Sequence, residues 1–505
     1  MTEAFPQGED IMLYTSTRSK NSTCPSQEAI VQGLCSDGGL YAPADLNVKV
    51  SPEALRGMSY QKIAETILKE YLSDFSTETI QRCVTSAYCS EKFDDPQIVP
   101  LTGFSDGVFT DLWHGPTSAF KDLALTIMPY LLTASYQGIG KTGKIAILTA
   151  TSGDTGKAAL SGFADVENTY VTVFYPENGV SAIQKKQMKT SRGANVCVIG
   201  VNGNFDDCQR TVKEAFASEY VKNACRGVTL SSANSINIGR LVPQIVYYYS
   251  TYLNLVEKGR IKMNDEVTFV VPTGNFGDVL AGYLAKKSGL PIHRLIVASN
   301  SNNVLTDFLK TGTYSRNRPF HETISPSMDI LVSSNLERLL FLESGNDSGL
   351  VSTLMKQLDE KGEYTVPASL LDSIQNTFRG FWCTEEDCRK EIRALWEEEQ
   401  ILIDPHTAVA RNALRQYRAE GNSEYAAVLS TASPFKFSRD VLSCISAYEP
   451  EDDFDAMHQL AEITGRRIPA GLAELEMLEE RFHTVIEKDQ GIETIAAKMR
   501  ELSDD

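Results

Sequence analysis

The chain has 505 residues, 42% hydrophobic and 23% charged, the composition of an ordinary globular protein and not of a disordered or fibrous one. Its 66 acidic residues against 48 basic ones leave a formal net charge of −18. That excess argues against a general nucleic-acid grip, which needs a basic face, while leaving room for a local basic pocket that holds a small anion.

The N-terminal ten residues are acidic and polar without an apolar core, so no secretory leader is expected. No window approaches about 18 uninterrupted apolar residues, so no membrane partner is expected either. Ten cysteines, none in a Cys-x-x-Cys spacing, predict reduced thiols and no metal site, and the expected location is the cytoplasm.

The length carries a prior of roughly three domains. Residues 1–95 mix short helical stretches with the turn Asp37-Gly38-Gly39 and end before the breaker Asp94-Asp95-Pro96. They predict a small, mainly helical N-terminal domain. Residues 96–505 predict one further region, with a smaller subdomain over about 110–240 and a larger one over about 241–450.

Lys121 follows a Gly115-Pro116 turn and precedes a mixed stretch (Leu123, Leu125, Ile127, Met128, Leu131, Leu132) that reads as a mostly buried helix. A lysine at the start of a buried helix either snorkels to solvent or has a chemical reason to be there, because an unpaired ammonium away from water is costly. From Lys144 the pattern becomes apolar β-branched runs, each followed by a turn and an amphipathic helix. Ile145–Thr149, Tyr170–Phe174, Asn195–Val201, Glu266–Val271, Arg294–Ala298 and Ala426–Leu429 read as buried strands. Strands alternating with helices predict an α/β fold with a parallel-strand core and flanking helices. Ser181 with Gln184 has capping-box spacing. Residues 301–400 are mixed and predict insertions on the sheet, and the acidic tail 451–505 predicts a solvated pair of surface helices.

Ligands of parallel sheets sit at the carboxyl ends of the strands, and three turn segments fall there. Gly274-Asn275-Phe276-Gly277-Asp278 joins a strand to a helix and reads either as a tight turn or as a phosphate cradle. Ser152-Gly153-Asp154-Thr155-Gly156 reads as a helix cap or a carboxylate-binding turn. Ser430-Thr431-Ala432-Ser433-Pro434 ends the last strand with hydroxyl groups. A fourth segment, Asn234-Ser235-Ile236-Asn237 followed by Arg240, opens a helix with amides, a hydroxyl and a guanidinium, and reads either as a capped helix with a surface arginine or as the donor set for phosphate or carboxylate. Walker-type nucleotide loops are excluded, because Gly140-Lys141-Thr142 precedes a strand and Gly156-Lys157 is followed by Ala158.

The order of these segments resembles the threonine synthases of the longer bacterial and fungal type. The resemblance rests on Ser-Ala-Phe-Lys121-Asp, Thr-Ser-Gly-Asp154-Thr-Gly, Asn234-Ser-Ile-Asn-x-x-Arg240, Thr-Gly274-Asn-Phe-Gly-Asp278 and Ser-Thr431-Ala-x-Pro-x-Lys-Phe. Leu13-Tyr14-x-Ser16-Thr17-Arg18 and Asp37-Gly38-Gly39-Leu40-Tyr41-x-Pro43 extend it into the N-terminal region, over about residues 12–440.

The resemblance implies the fold of the tryptophan synthase β subunit, pyridoxal 5′-phosphate (PLP) as cofactor, and conversion of O-phospho-L-homoserine and water to L-threonine and phosphate. It implies that Lys121 binds the cofactor aldehyde. Gly274, Asn275, Phe276, Gly277 and Asp278 would cradle its phosphate, mainly through backbone N–H groups, and Thr431 would face its ring nitrogen. Ser152, Asp154 and Thr155 would hold the substrate carboxylate. Asn234, Ser235 and Arg240 would receive the substrate phosphate, with help from a lysine that the pattern does not identify. The alternatives are a related PLP-dependent dehydratase and a catalytically silent protein of the same fold. A monomer or a homodimer is expected.

Overall fold

A computed structural model of the chain describes residues 11–20, 23–151, 153–178 and 180–504. Its centre is a six-stranded sheet in the order Phe378–Trp382, Ile292–Ser299, Val267–Pro272, Tyr425–Ser430, Gly107–Asp111 and Leu101–Phe104. All neighbours are parallel except the last pair. Every residue of Val267–Pro272 is buried, as expected for a strand covered on both faces.

A second sheet, parallel throughout, runs Val485–Glu487, Val196–Asn202, Thr169–Pro176, Lys144–Ala150 and Val228–Ser231. The expected strands recur in these two sheets with ends shifted by one or two residues, and the capping box of Ser181 and Gln184 is formed. The strand Gly107–Asp111 lies at the expected start of the smaller subdomain, near residue 110. It belongs to the larger sheet, because it pairs with Tyr425–Ser430.

The acidic tail also differs from expectation. It is no free pair of surface helices: Val485–Glu487 adds an edge strand to the smaller sheet, and the helix Gly491–Asp504 buries Ile495, Ala496 and Met499 in that sheet's core. Its apolar positions at i, i+1 and i+4 supply the packing, while its charges face solvent. Within residues 301–400, Phe378–Trp382 is the edge strand of the larger sheet, a segment whose polar Arg379 masks the apolar run.

The N-terminal region contains the helices Ser26–Gln32, Tyr60–Tyr71 and Thr77–Ala87 beside a small antiparallel sheet of Leu13–Ser16, Thr23–Pro25 and Tyr41–Pro43. Between it and the larger sheet lies the helix Ile245–Glu257, whose Tyr247, Tyr248, Tyr249 and Tyr252 are all fully buried. Each hydroxyl finds a polar partner (Asp278 for two of them, Ser288, and the N–H of Asn264), which makes burial of so many phenols tolerable.

The strand order creates two crevices. In the larger sheet the chain runs outward from Val267–Pro272 through Ile292–Ser299 to Phe378–Trp382, then returns to the other side with Tyr425–Ser430. In the smaller sheet it runs outward from Lys144–Ala150 and returns with Val228–Ser231. Loops leaving adjacent strands in opposite directions part at their carboxyl ends, and a ligand-sized gap opens there. The segments after Pro272 and Ser430 flank one switch point, and those after Ala150 and Ser231 flank the other.

Candidate active site

Lys121 stands immediately before the short helix Asp122–Leu125. The backbone there is laid along the exit of the last strand. Phe120 N–H donates to Thr431 O at 2.8 Å, Ser433 N–H donates to Ser118 O at 3.0 Å, and Ala119 and Ala432 form a bridge between them. Ser118 sits in the left-handed region with φ 56°, a conformation costly for a side-chain-bearing residue and held here by those bonds. Asp122 is buried and locks the turn by accepting from Thr117 N–H and Oγ1 at 2.8 and 2.7 Å. Lys121 and Thr431 are therefore neighbours by backbone register and not through loop flexibility.

The Lys121 side chain is partly exposed, and among the described residues its Nζ has no hydrogen-bond partner. Desolvation pushes its amine down to about 8; Asp154 opposes the shift, and Arg240 and Lys436 reinforce it.

Asp154 begins the helix Asp154–Phe163 and is buried. Its carboxylate pairs with the fully buried Lys436 at 2.7 Å and accepts from Gln184 Nε2 at 3.0 Å and Ser327 Oγ at 3.3 Å. Burial alone would raise its pKa; Lys436 first, then Lys121, hold it well below the usual carboxylate range. A buried anion committed to Lys436 repels an incoming carboxylate, so what Asp154 can offer such a group is its N–H. Thr151 Oγ1 takes the N–H groups of Gly153 and Gly156, which leaves those of Asp154 and Thr155 open at this turn among the described residues. Ser152 lies outside the described residues.

Lys436 is the buried charge at this site that sequence reasoning passed over. It occurs in a quoted motif, but nothing local shows that its Nζ reaches Thr117 O at 3.0 Å and Asp154 across the gap between the sheets. Lys436→Met is expected to cost about 3 kcal/mol of stability, because one partner of a buried pair is left uncompensated. Adding Asp154→Asn should recover most of that loss in urea unfolding.

The turn after Val267–Pro272 is held from one side. Gly274 O accepts from Ser333 Oγ at 2.7 Å, and Asn275 O accepts from Asn335 N–H and Nδ2 at 3.1 and 3.0 Å. Phe276 has φ 63° and is fixed by burial against Phe378, with ring centroids 5.6 Å apart. The helix Gly277–Lys287 thus starts without a side-chain cap, and its first N–H groups are open to an anion. A Cβ on Gly274 would stand 2.7 Å from Ser327 O, so only glycine fits. The Asp278 carboxylate points the other way and accepts from Tyr247 and Tyr248 at 2.6 and 2.8 Å. Burial pushes it up to about 6. The Asp278 side chain therefore belongs to the core, and what the residue can offer an anion is its N–H.

Arg240 is buried, and no carboxylate pairs with it among the described residues. One Nη1–H donates to Ala233 O at 3.0 Å, while its Nε has no partner. Desolvation lowers its pKa to about 10, which leaves it charged. Asn234 and Ser235 are partly exposed beside it. A buried, half-satisfied guanidinium is an anion site by its chemistry. With Lys121 and Lys436 it forms a cationic cluster in which only Lys436 has its own carboxylate. Two surface cavities, one around Arg18, Asp37 and Lys356 and one around Tyr136, Lys141 and Asn168, share no residue with this cluster.

Comparison with known proteins agrees with this geometry. Residues 97–433 match the family described as pyridoxal-phosphate dependent enzyme, residues 13–88 match threonine synthase N terminus, and residues 407–495 match threonine synthase, C-terminal. The threonine synthase of Eremothecium gossypii is 35% identical, over 94% of this chain and 96% of that protein. The human protein called Threonine synthase-like 1 is 39% identical over 84% of this chain, and the chain spans 58% of that longer protein. A solved structure of PLP-bound threonine synthase from Brucella melitensis superimposes with a TM-score of 0.86 at 34% identity, covering 97% of this chain and 99% of that one. These matches run the length of both sheets and the N-terminal region, and the chain belongs to the threonine synthase family of pyridoxal-phosphate-dependent enzymes.

Proposed function

We propose that the protein converts O-phospho-L-homoserine and water to L-threonine and phosphate, with PLP as cofactor. The observation that carries the reading is Arg240. The site offers one uncapped helix start for a cofactor phosphate and, separately, a buried guanidinium with an unpartnered Nε for a second phosphate. A dehydratase substrate has no phosphate to occupy that second position.

The residues present fit the cofactor. Lys121 would hold its aldehyde, the N–H groups from Asn275 to Asp278 its phosphate, and the Thr431 hydroxyl its ring nitrogen. When bound, the cofactor supplies an electron sink that makes the protons at Cα and Cβ of the substrate acidic.

The other roles belong to the chain. Lys121, whose amine is neutral above about pH 8, is the base placed to take and return those protons. Arg240, Asn234 and Ser235 hold the phosphate and stabilise its charge as the Cγ–O bond breaks, with the electron pair leaving on phosphate. Thr155 and the N–H groups at residues 154–155 hold the carboxylate. The hydroxyl of threonine comes from water, which adds at Cβ. All of these groups come from one chain, which fits a monomer or a homodimer in the cytoplasm.

A substrate panel tests the reading. Release of phosphate from O-phospho-L-homoserine together with threonine supports it, whereas ammonia and 2-oxobutyrate from threonine, without phosphate release, would sink it. For the cofactor site, Gly274→Ala is expected to weaken PLP affinity at least about tenfold, since the added Cβ must move Ser327 or the cradle itself. Fluorescence titration of the apoprotein reads this directly.

A further inference from the structure

Arg338 is the largest fully buried charged side chain among the described residues and has no part in the proposed chemistry. It lies in the helix Leu336–Glu343, and its guanidinium reaches three separate places. Nε donates to Tyr41 O at 2.7 Å, in the N-terminal region. One Nη donates to Ile236 O, in the segment that carries Asn234, Ser235 and Arg240. The other Nη donates to Asn335 Oδ1, and Asn335 in turn donates through its N–H and Nδ2 to Asn275 O in the cofactor-phosphate loop.

These acceptors are all neutral. The neighbouring carboxylate, Glu337, is occupied by Arg18 at 2.8 Å and Thr17 at 2.6 Å. A buried guanidinium without a bonded carboxylate is a poor source of stability, and an apolar side chain of similar volume would pack at less cost. What a planar fork does better than an apolar chain, or than lysine, is fix several acceptors in one geometry.

The acceptors matter because of what lies opposite them. A trans peptide points its C=O and the following N–H in opposite directions within one plane. Pinning Asn275 O toward Asn335 therefore turns the Phe276 N–H away from Asn335, into the open end of the cradle. Pinning Ile236 O toward Arg338 likewise sets the Asn237 N–H, which closes the turn on Asn234 O at 3.1 Å and so fixes where Asn234 and Ser235 stand.

We propose that Arg338, acting through Asn335, is a positioning residue that couples the cofactor-phosphate loop to the substrate-phosphate segment, so that ordering one orders the other. The inference rests on the cofactor and phosphate assignments proposed above. It makes the two anion sites a single mechanical unit: cofactor binding pre-organises the Asn234–Arg240 segment before any substrate arrives, which lowers the ordering cost of substrate binding.

Hydrogen exchange on the full-length apoprotein, with and without PLP, tests it. In the native sequence PLP should slow exchange about tenfold or more both at residues 275–279 and at residues 234–240. In Arg338→Met the first effect should remain and the second should fall to within about twofold of no change. Should Arg338→Met fail to fold, Asn335→Ala, which removes the side-chain relay between Arg338 and Asn275 while leaving the residue 335 N–H on Asn275 O and the bonds of Arg338 to Tyr41 and Ile236, is expected to give the same split. Full PLP-induced protection at 234–240 in whichever folded variant is measured would overturn the coupling while leaving the cofactor site intact. No protection at 275–279 in the native sequence would overturn the cofactor reading, and the coupling with it.

Discussion

Lys121→Ala is expected to give a folded protein that turns over O-phospho-L-homoserine at least about a thousandfold more slowly than the native chain and no longer retains PLP through dialysis. Turnover fails because the amine is proposed as both the covalent anchor and the base. The fold survives because the Lys121 side chain contributes no hydrogen bond to it among the described residues, its backbone bonds to Ala124 and Leu125 are kept, and the turn is held by Asp122, Thr117 and the bridge to Ala432. The pH dependence is equally definite. With its amine pushed down to about 8, Lys121 is neutral above that value and protonated below it. At pH 7 about one-tenth of it is neutral, against about one part in three thousand for an ordinary lysine, a gain of about 300-fold in the reactive form. The rate at which PLP attaches to the apoprotein should therefore rise about tenfold per pH unit below pH 8 and level off above it. A rise that continues to pH 10 would show that the amine is not perturbed, and retained full activity in Lys121→Ala would exclude its role altogether.

The segments legible in the sequence were those whose chemistry is local. Continuous apolar strands, the Ser181–Gln184 box and the strand–turn–helix spacing at residues 267–287 depend on neighbours a few positions away, so periodicity and turn residues disclose them. What stayed hidden depends on long-range pairing. Lys436 meets Asp154 from the far sheet, and Arg338 meets Tyr41 and Ile236 from two other segments, with separations of 102 residues or more. Neither lysine nor arginine carries any sequence mark of a carbonyl or carboxylate that distant. Asp154 shows the same limit from the other side. Its place at a helix start was readable, but the commitment of its carboxylate to Lys436 was not. The tail shows it for the fold, because acidic composition concealed an apolar face that includes Ile492, Ile495, Ala496, Met499 and Leu502.

Arg240→Met separates binding from stability, and the two effects have opposite signs. The guanidinium is buried with one neutral acceptor and an unpartnered Nε, so in the absence of ligand it is a charge that folding had to desolvate without full compensation. Replacing it by an apolar chain of similar length removes that cost and should leave the ligand-free protein as stable as the native one or more stable, by about 1 kcal/mol or more. Substrate binding loses a charge-assisted contact to phosphate worth about 2–3 kcal/mol, which corresponds to a KM increase of about 30- to 150-fold. The affinity for PLP should change by less than about threefold, because the site proposed for the cofactor phosphate is the uncapped start of the Gly277–Lys287 helix and not Arg240. Phosphate or a substrate analogue should raise the melting temperature of the native protein and fail to raise that of the variant. If instead the variant melts lower and binds substrate normally, Arg240 is a packing residue and the second phosphate is held elsewhere.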